Sequence, residues 1–150
     1  MRKLRRFLRA RKRGGKKLFC QGYIVMCLVR LGLFLLPFNR LQSLVLKSKK
    51  LEPLAIDRST VTVSSIARAV NRSGRYSPGK PMCLARALTT AVLMNIYGFP
   101  YQIKIGVAKG ESGKIEAHAW VTWEGKVMMG NLPDLSRYIP MSAKGQGLII

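Results

Sequence analysis

A run of 19 residues from Leu18 to Leu36 is apolar except for Arg30, one glutamine and two glycines, so it has to be covered by protein or lipid. Its length would allow it to cross a bilayer core of about 30 Å. An ionised Arg30 inside the run costs about 2.5–3.5 kcal/mol on insertion scales, and no small-residue cleavage site follows. We expect a helix that ends at Pro37 and packs on protein, with Arg30 facing outward and Cys20 and Cys27 in the packed face. A helix on a membrane surface and a true span are the alternatives.

The segment before this run is strongly basic. Residues 2–17 contain ten Lys or Arg, no acidic residue occurs before Glu52, and the whole chain carries a formal charge of +21. Such an arm attracts phosphate, anionic lipid or an acidic protein surface through long-range, salt-sensitive forces. The arm has no Tyr or Trp for base stacking, and no zinc-finger, homeodomain or RNA-binding signature follows it. A nucleic-acid partner is therefore disfavoured.

The composition supports one folded domain behind these segments. With 150 residues, 48% of them apolar, the chain is neither disordered nor a disulfide scaffold, and its three cysteines favour a reducing, cytoplasmic compartment. We divide the chain into a basic arm (1–17), an apolar and basic helical extension (18–50) and one domain (51–150).

Local signals within the domain predict helices followed by strands. We expect a helix over Thr60–Asn71 capped by Ser59 or Thr60, and a central helix over Cys83–Tyr97 that Gly98 closes. Alternating apolar residues then predict strands over Tyr101–Val107, Ile115–Trp123 and Lys126–Met129, with a last edge near Arg137–Pro140. This order predicts an α+β fold in which a central helix packs on an antiparallel sheet.

A cysteine and the one histidine of the chain form the candidate catalytic pair. Cys83 falls in the first turn of the predicted central helix, where free N–H groups and the helix dipole favour a thiolate. His118 lies 35 residues later on a predicted strand, where it can meet Cys83 if the sheet packs across the start of that helix. A thiolate beside an imidazole is the minimum for covalent acyl transfer. The alternative is a buried small residue and an ordinary strand histidine.

A third residue would orient the imidazole. If Glu124-Gly125 forms a two-residue turn, counting outward along the hairpin places Asn131 opposite His118. A longer turn or a slip in register would bring Asp134 instead, and we keep both as candidates beside Cys83 and His118. The backbone N–H of Cys83 would supply one donor of the oxyanion hole.

These residues resemble a known family. The string Pro81-Met-Cys-Leu-Ala-Arg-Ala-Leu at a helix start, followed by Ala117-His-Ala-Trp-Val, resembles the transglutaminase-like cysteine peptidase of lasso-peptide biosynthesis. The resemblance implies a transglutaminase-like (papain-like) core that removes the leader of a ribosomally made precursor peptide. It also implies two partners, a small leader-recognition protein and an ATP-dependent lasso cyclase. The third residue of the family is usually an Asp soon after the His strand, where this chain has Gly130-Asn131.

The remaining expectations concern cofactors and docking. The sequence has no zinc-spaced Cys/His cluster, no Walker loop and no paired carboxylates, so we expect neither a metal nor another cofactor. We expect the arm to dock the complex of leader and recognition protein, and a peripheral membrane contact is the alternative. The residues assigned to this docking are Arg5, Arg6, Arg9, Arg11, Lys12 and Arg13.

Overall fold

The computed structural model describes residues 2–54, 59–79 and 82–141, with the side chains of 2–13 and 52–54 outside the description. Four α-helices precede a sheet of four strands in this part of the chain. Short 3₁₀ segments follow α2 and precede β4. The elements are α1 (Arg2–Leu35), α2 (Phe38–Lys47), α3 (Val63–Tyr76), α4 (Cys83–Tyr97), β1 (Gln102–Lys109), β2 (Ile115–Trp123), β3 (Lys126–Met129) and β4 (Ile139–Pro140).

Helix α1 is a single helix that includes both the basic arm and most of the apolar run. Its inner face buries Leu18, Met26 and Val29 against the domain, where α1 contacts α3 and α4. Its opposite side, which we call the outer face of α1, exposes five large apolar side chains. They are Ile24, Leu28, Leu31, Phe34 and Leu35. By length and composition Gly14–Leu35 is long and apolar enough to cross a membrane, and 22% of its apolar window is buried.

Two expectations about α1 are wrong. Cys20 and Cys27 share one side of the helix, as their spacing requires, but both are exposed. Arg30 is directed at the domain and not outward, since its guanidinium donates to the Ser77 hydroxyl at 2.7 Å and to the Pro78 carbonyl. Both errors have one cause. The domain covers the side of the helix that carries Arg30, and not the side that carries Cys20 and Cys27.

The N-cap of helix α3 lies two residues after Thr60 and three after Ser59, the two expected caps. Thr62 is the N-cap, and its hydroxyl accepts from the Ser65 N–H at 3.2 Å while the Ser65 hydroxyl accepts from the Thr62 N–H at 2.9 Å. This reciprocal pair satisfies two otherwise unpaired donors at the helix start. The helix also continues past Asn71 to Tyr76, which brings its last turn to the site described below.

Helix α4 has the predicted bounds and forms the centre of the domain. Gly98 closes it in the left-handed conformation, and 12 of its 15 residues are buried. The side chain of Asn95 donates to the Val45 carbonyl at 2.8 Å and to the Ser48 hydroxyl at 2.9 Å, which ties the end of α2 to α4. The core therefore surrounds α4, as its wide apolar surface predicts.

The sheet is antiparallel, with strand order β3-β2-β1-β4. Strands β2 and β3 have the expected bounds, and Glu124 and Gly125 both adopt positive φ in the two-residue turn between them. Beyond that turn a bulge between Val121 and Thr122 shifts the pairing, so that Val121 lies opposite Met129. Helix α4 contacts β1, β2 and β3, and the predicted α+β class is confirmed.

Candidate active site

Cys83 is the first residue of α4, directly after the N-cap residue Met82. The N–H groups in the first turn of a helix have no partner within the helix, and Met82 makes no side-chain cap to them. The Cys83 side chain is partly exposed and lines a cleft with a volume of about 910 Å³. The candidate nucleophile therefore lies beside backbone donors and within reach of a substrate.

The same cleft brings together residues that are distant in the sequence. His118 from β2 and Asn131 from the segment after β3 line it together with Cys83. The last turn of α3 forms another wall through Gly74 and Arg75. The packing of the sheet across the start of α4 thus places Cys83 and His118 on the walls of one cleft, and their catalytic pairing stays a prediction.

The orientation of the His118 ring follows from its hydrogen bond to the backbone. Nε2 lies 2.7 Å from the carbonyl oxygen of Gly130. A carbonyl oxygen can only accept, so Nε2 carries the proton in this bond and Nδ1 of a neutral ring is left with its lone pair. The ring is therefore held in the tautomer that a general base requires.

Gly130 can place its carbonyl on His118 because it has no side chain. Its φ is +80°, and a Cβ there would lie 2.5 Å from the Ala119 carbonyl oxygen and 3.0 Å from the Trp120 Cα. No L-residue fits this position without moving β2. The sequence analysis missed Gly130, although a glycine directly after a predicted strand is a signal for a special backbone conformation.

The hairpin register that pointed to Asn131 is wrong. The two-residue turn is present, but the bulge between Val121 and Thr122 shifts the pairing by one residue. Counting outward from the Val121–Met129 pair places Leu132, and not Asn131, opposite His118. The His118 ring instead bonds to the Gly130 carbonyl, and no described hydrogen bond joins it to Asn131. Asn131 is exposed and lines the cleft, and its role in turnover stays a prediction.

Asp134 takes part in a different interaction. Its carboxylate lies 2.8 Å from the guanidinium of Arg137, which also contacts Glu116 at 3.1 Å. Asp134 is not among the described residues that line the cleft. Through Glu116, Arg137 joins the segment before β4 to β2, and no described hydrogen bond joins Asp134 to His118.

Two aromatic rings flank the imidazole. The Trp120 ring is nearly parallel to that of His118, with centroids 6.2 Å apart, and the Tyr138 centroid lies at 5.4 Å. Partial desolvation and the nearby Glu116 carboxylate raise the pKa of Tyr138, whose hydroxyl lies 3.4 Å from that carboxylate. These contacts limit the rotation of His118 in addition to the bond from Nε2.

The cleft is positively charged. Arg75 and Arg86 line it, and none of its described lining residues is acidic. The Nε of Arg86 is buried and has no hydrogen-bond partner among the described groups. Such a lining favours the negative charge that develops on a carbonyl oxygen during acyl transfer.

Arg30 links α1 to this cleft. Its guanidinium holds Ser77 and Pro78, and the neighbouring Gly79 lines the cleft together with Ser77. This segment leads towards Cys83 at the start of α4. A residue of the N-terminal helix therefore supports one wall of the candidate site, a connection that the sequence did not predict.

The expectations about a metal site and about docking residues concern only partly described regions of the chain. Within residues 2–54, 59–79 and 82–141, no group of three His, Cys, Asp or Glu residues could hold a metal ion. The docking residues of the arm lie outside the described side chains. They are Arg5, Arg6, Arg9, Arg11, Lys12 and Arg13.

Comparison with known proteins gives one match. The chain matches none of the curated proteins and none of the solved structures with which it was compared. A model of the transglutaminase-like superfamily, which includes cysteine peptidases, matches residues 25–143. The match contains Cys83, His118 and Gly130, and its start inside α1 includes the helix that carries Arg30. The match covers most of the chain, including the core of helices and antiparallel sheet. The protein therefore belongs to the transglutaminase-like superfamily.

Proposed function

We propose that this protein is a cysteine peptidase that removes the leader from a lasso-peptide precursor. The observation that carries the proposal is that Cys83 and His118 line the same cleft. Cys83 begins a helix, and His118 is held through Nε2. The superfamily supports cysteine chemistry, and the sequence resemblance supplies the substrate class.

The chemistry proceeds through a thioester. Nδ1 of His118 takes the thiol proton, and the sulfur of Cys83 attacks the carbonyl carbon of the scissile amide. The C–N bond then breaks, and the imidazolium returns its proton to the leaving amine. Water, deprotonated by the same nitrogen, attacks the thioester and releases the carboxylate and the free thiol. The Gly130 carbonyl stabilises the imidazolium in both halves because it accepts from Nε2.

The substrate and partners follow from the same proposal. A cleft of about 910 Å³ has room for a segment of an extended peptide. The precursor peptide would be delivered by a leader-recognition protein, and the released core would pass to the cyclase. This work belongs on the cytoplasmic side of the membrane, where the precursor is made.

The decisive experiment compares cysteine variants. Incubation with a candidate precursor and its recognition protein is followed by mass spectrometry for the free leader. We expect Cys83→Ala to abolish cleavage, because no other described thiol lines the cleft. The matched control is Cys20→Ser/Cys27→Ser, which removes two exposed thiols on α1 and should cleave normally.

Two results would contradict the proposal. Full cleavage by Cys83→Ala would end the assignment of the nucleophile. If the unmodified protein binds the precursor complex without cleaving it, the alternative of a binding protein that uses its basic arm, without catalysis, would be favoured.

A further inference from the structure

The outer face of α1 is an apolar surface that the described domain leaves uncovered. Phe34 is 86% exposed, Leu35 63% and Leu28 61%, although each is as apolar as the residues of the core. The five residues of the face follow the i, i+3, i+4 spacing of one helix side and extend over about 17 Å. Soluble domains rarely expose a continuous apolar stripe of this kind unless it is a contact surface.

The charge next to this face favours an anionic occupant. The same helix continues towards its N-terminus into residues 2–17 with their ten Lys or Arg, and Lys16 and Lys17 at its near end are exposed. No acidic residue occurs before Glu52. An apolar face joined to a basic segment is the pattern of helices that bind anionic membranes, where each Lys or Arg near the surface adds to the attraction.

The packing of α1 determines how it can meet a bilayer. Within the same turns of α1, Met26 and Val29 are buried in the domain, whereas Leu28 and Leu31 are exposed. Arg30, the one charged residue between Leu18 and Leu36, is bonded to Ser77 and Pro78 on the packed side. A span would have to pull these groups away from α3 and α4, whereas a helix lying in the plane of the interface keeps every one of them in place.

We propose that the outer face of α1 lies flat in the surface of an anionic membrane, with the basic arm on the lipid headgroups and the candidate site held at the surface. This assigns a lipid surface, and not the recognition protein, to the N-terminal helix. The inference does not depend on the peptidase activity, since none of Ile24, Leu28, Leu31, Phe34 and Leu35 lines the catalytic cleft.

The test is co-sedimentation of the full chain with vesicles. One vesicle is made of equal parts phosphatidylcholine and phosphatidylglycerol, and the other of phosphatidylcholine alone. We expect binding to the anionic vesicle to be at least about tenfold tighter and to weaken with added salt. The variant Leu28→Gln/Leu31→Gln/Phe34→Gln should lose at least about tenfold of that binding. The control Ile115→Gln/Met141→Gln, which changes exposed apolar residues of the sheet region, should bind like the unmodified protein.

A fluorescent reporter tests the orientation. Cys27 is exposed on α1, so a polarity-sensitive dye on it, in a Cys20→Ser/Cys83→Ser background, should shift to the blue on anionic vesicles. A helix in the interface leaves the dye accessible to a quencher near the headgroups, and a span places it among the acyl chains. Quenching only by a probe at the bilayer centre would overturn the flat orientation.

Two other outcomes would overturn the membrane assignment. Equal binding of the triple variant and the unmodified protein to anionic vesicles would mean that the arm acts alone. Dimerisation in solution that the triple variant abolishes, without vesicle binding, would assign the face to a second copy. Circular dichroism confirms that each variant remains folded, and alkylation of Cys83 checks the variants that retain it. Precursor cleavage by the triple variant in lipid-free solution should be unchanged.

Discussion

Helices α4 and α1 are both rich in apolar residues, yet the fold treats them in opposite ways. In α4, 12 of 15 residues are buried, whereas in the apolar window of α1 the buried share is 22%. Helix α4 has the sheet on one side and three helices on others, while α1 has neighbours along one side. Apolar composition therefore does not by itself decide burial, because burial depends on how many sides a helix has covered.

The difference also separates two tasks. Helix α4 presents its first residue to a cleft whose other walls come from β2, the segment after β3 and the end of α3. In helix α1, Arg30 bonds to Ser77 in the wall of that cleft, and the residues of the outer face are exposed. The proposed chemistry lies at the start of the helix that is packed on every side, and the proposed membrane contact lies on the helix with one open side.

Among changes that leave the Cys83 thiol in place, the largest effect is expected at Gly130, in the region around α4. Gly130→Ala would force a Cβ against the Ala119 carbonyl and move the acceptor of His118 Nε2. We expect precursor cleavage to fall about 10²–10⁴-fold, as when the orienting partner of a catalytic histidine is lost. The measurement is kcat/KM with the precursor and its recognition protein.

Gly113→Ala is the matched control for this prediction. Gly113 has φ +77°, but nothing lies within 4 Å of its added Cβ, so this variant carries the backbone strain without the clash. If both variants lose activity equally, the loss comes from general strain and the Gly130 carbonyl is not the orienting group. Urea unfolding of both variants reports that strain separately.

The comparison of the two helices is tested directly by one substitution made in each. Leu93→Ala in α4 removes a fully buried side chain and should cost about 2–5 kcal/mol of unfolding free energy. Leu28→Ala in α1 removes a side chain that is 61% exposed and should change stability by at most about 0.5 kcal/mol in lipid-free buffer. Similar losses from both would mean that the outer face of α1 is covered in solution.

A smaller effect is expected where the two regions meet. Arg30→Met keeps an unbranched apolar stem, two atoms shorter, and removes the bonds to Ser77 and Pro78. We expect kcat to fall about tenfold, because the wall of the cleft before Cys83 loosens by a fraction of an ångström. Binding to anionic vesicles should be unchanged. Normal kcat in this variant would mean that α1 and the site are independent.

The smallest effects concern the two residues first considered as the third member. Asn131→Ala should lower kcat/KM by a factor of about ten or less, since the Gly130 backbone holds the imidazole. Asp134→Asn weakens the contact with Arg137 and should reduce thermal stability slightly with kcat/KM unchanged. A loss above about a hundredfold in either variant would show that its side chain orients His118 during turnover.

Several elements were predicted because their signals are local. Prolines before Met82 and Gly98 after Tyr97 define α4, and the prediction of its bounds is confirmed. Glu124 and Gly125 define the hairpin turn in the same way. The start of α3 was misplaced, because Thr62 is followed three residues later by Ser65 and not by the Glu or Gln that marks a capping box in a sequence.

The partner of His118 could not be predicted by counting outward from the turn. The count was right for the first two pairs of the hairpin, and the bulge between Val121 and Thr122 then changed it. No Gly or Pro at Val121 or Thr122 marks the bulge in the sequence. The one-residue shift moves the count from Asn131 to Leu132, and the ring itself bonds to the backbone of Gly130.

The sequence by itself determined that Cys83 begins a helix, that His118 lies on a strand, and that an apolar helix follows a basic arm. These properties depend on backbone preferences and turn residues that act over a few neighbours in the chain. Only the tertiary structure decided which side of α1 is covered, where Arg30 points and which group holds the imidazole. Those properties depend on contacts between elements distant in sequence: Met26 is buried and Leu28 exposed because α3 and α4 lie on one side of α1.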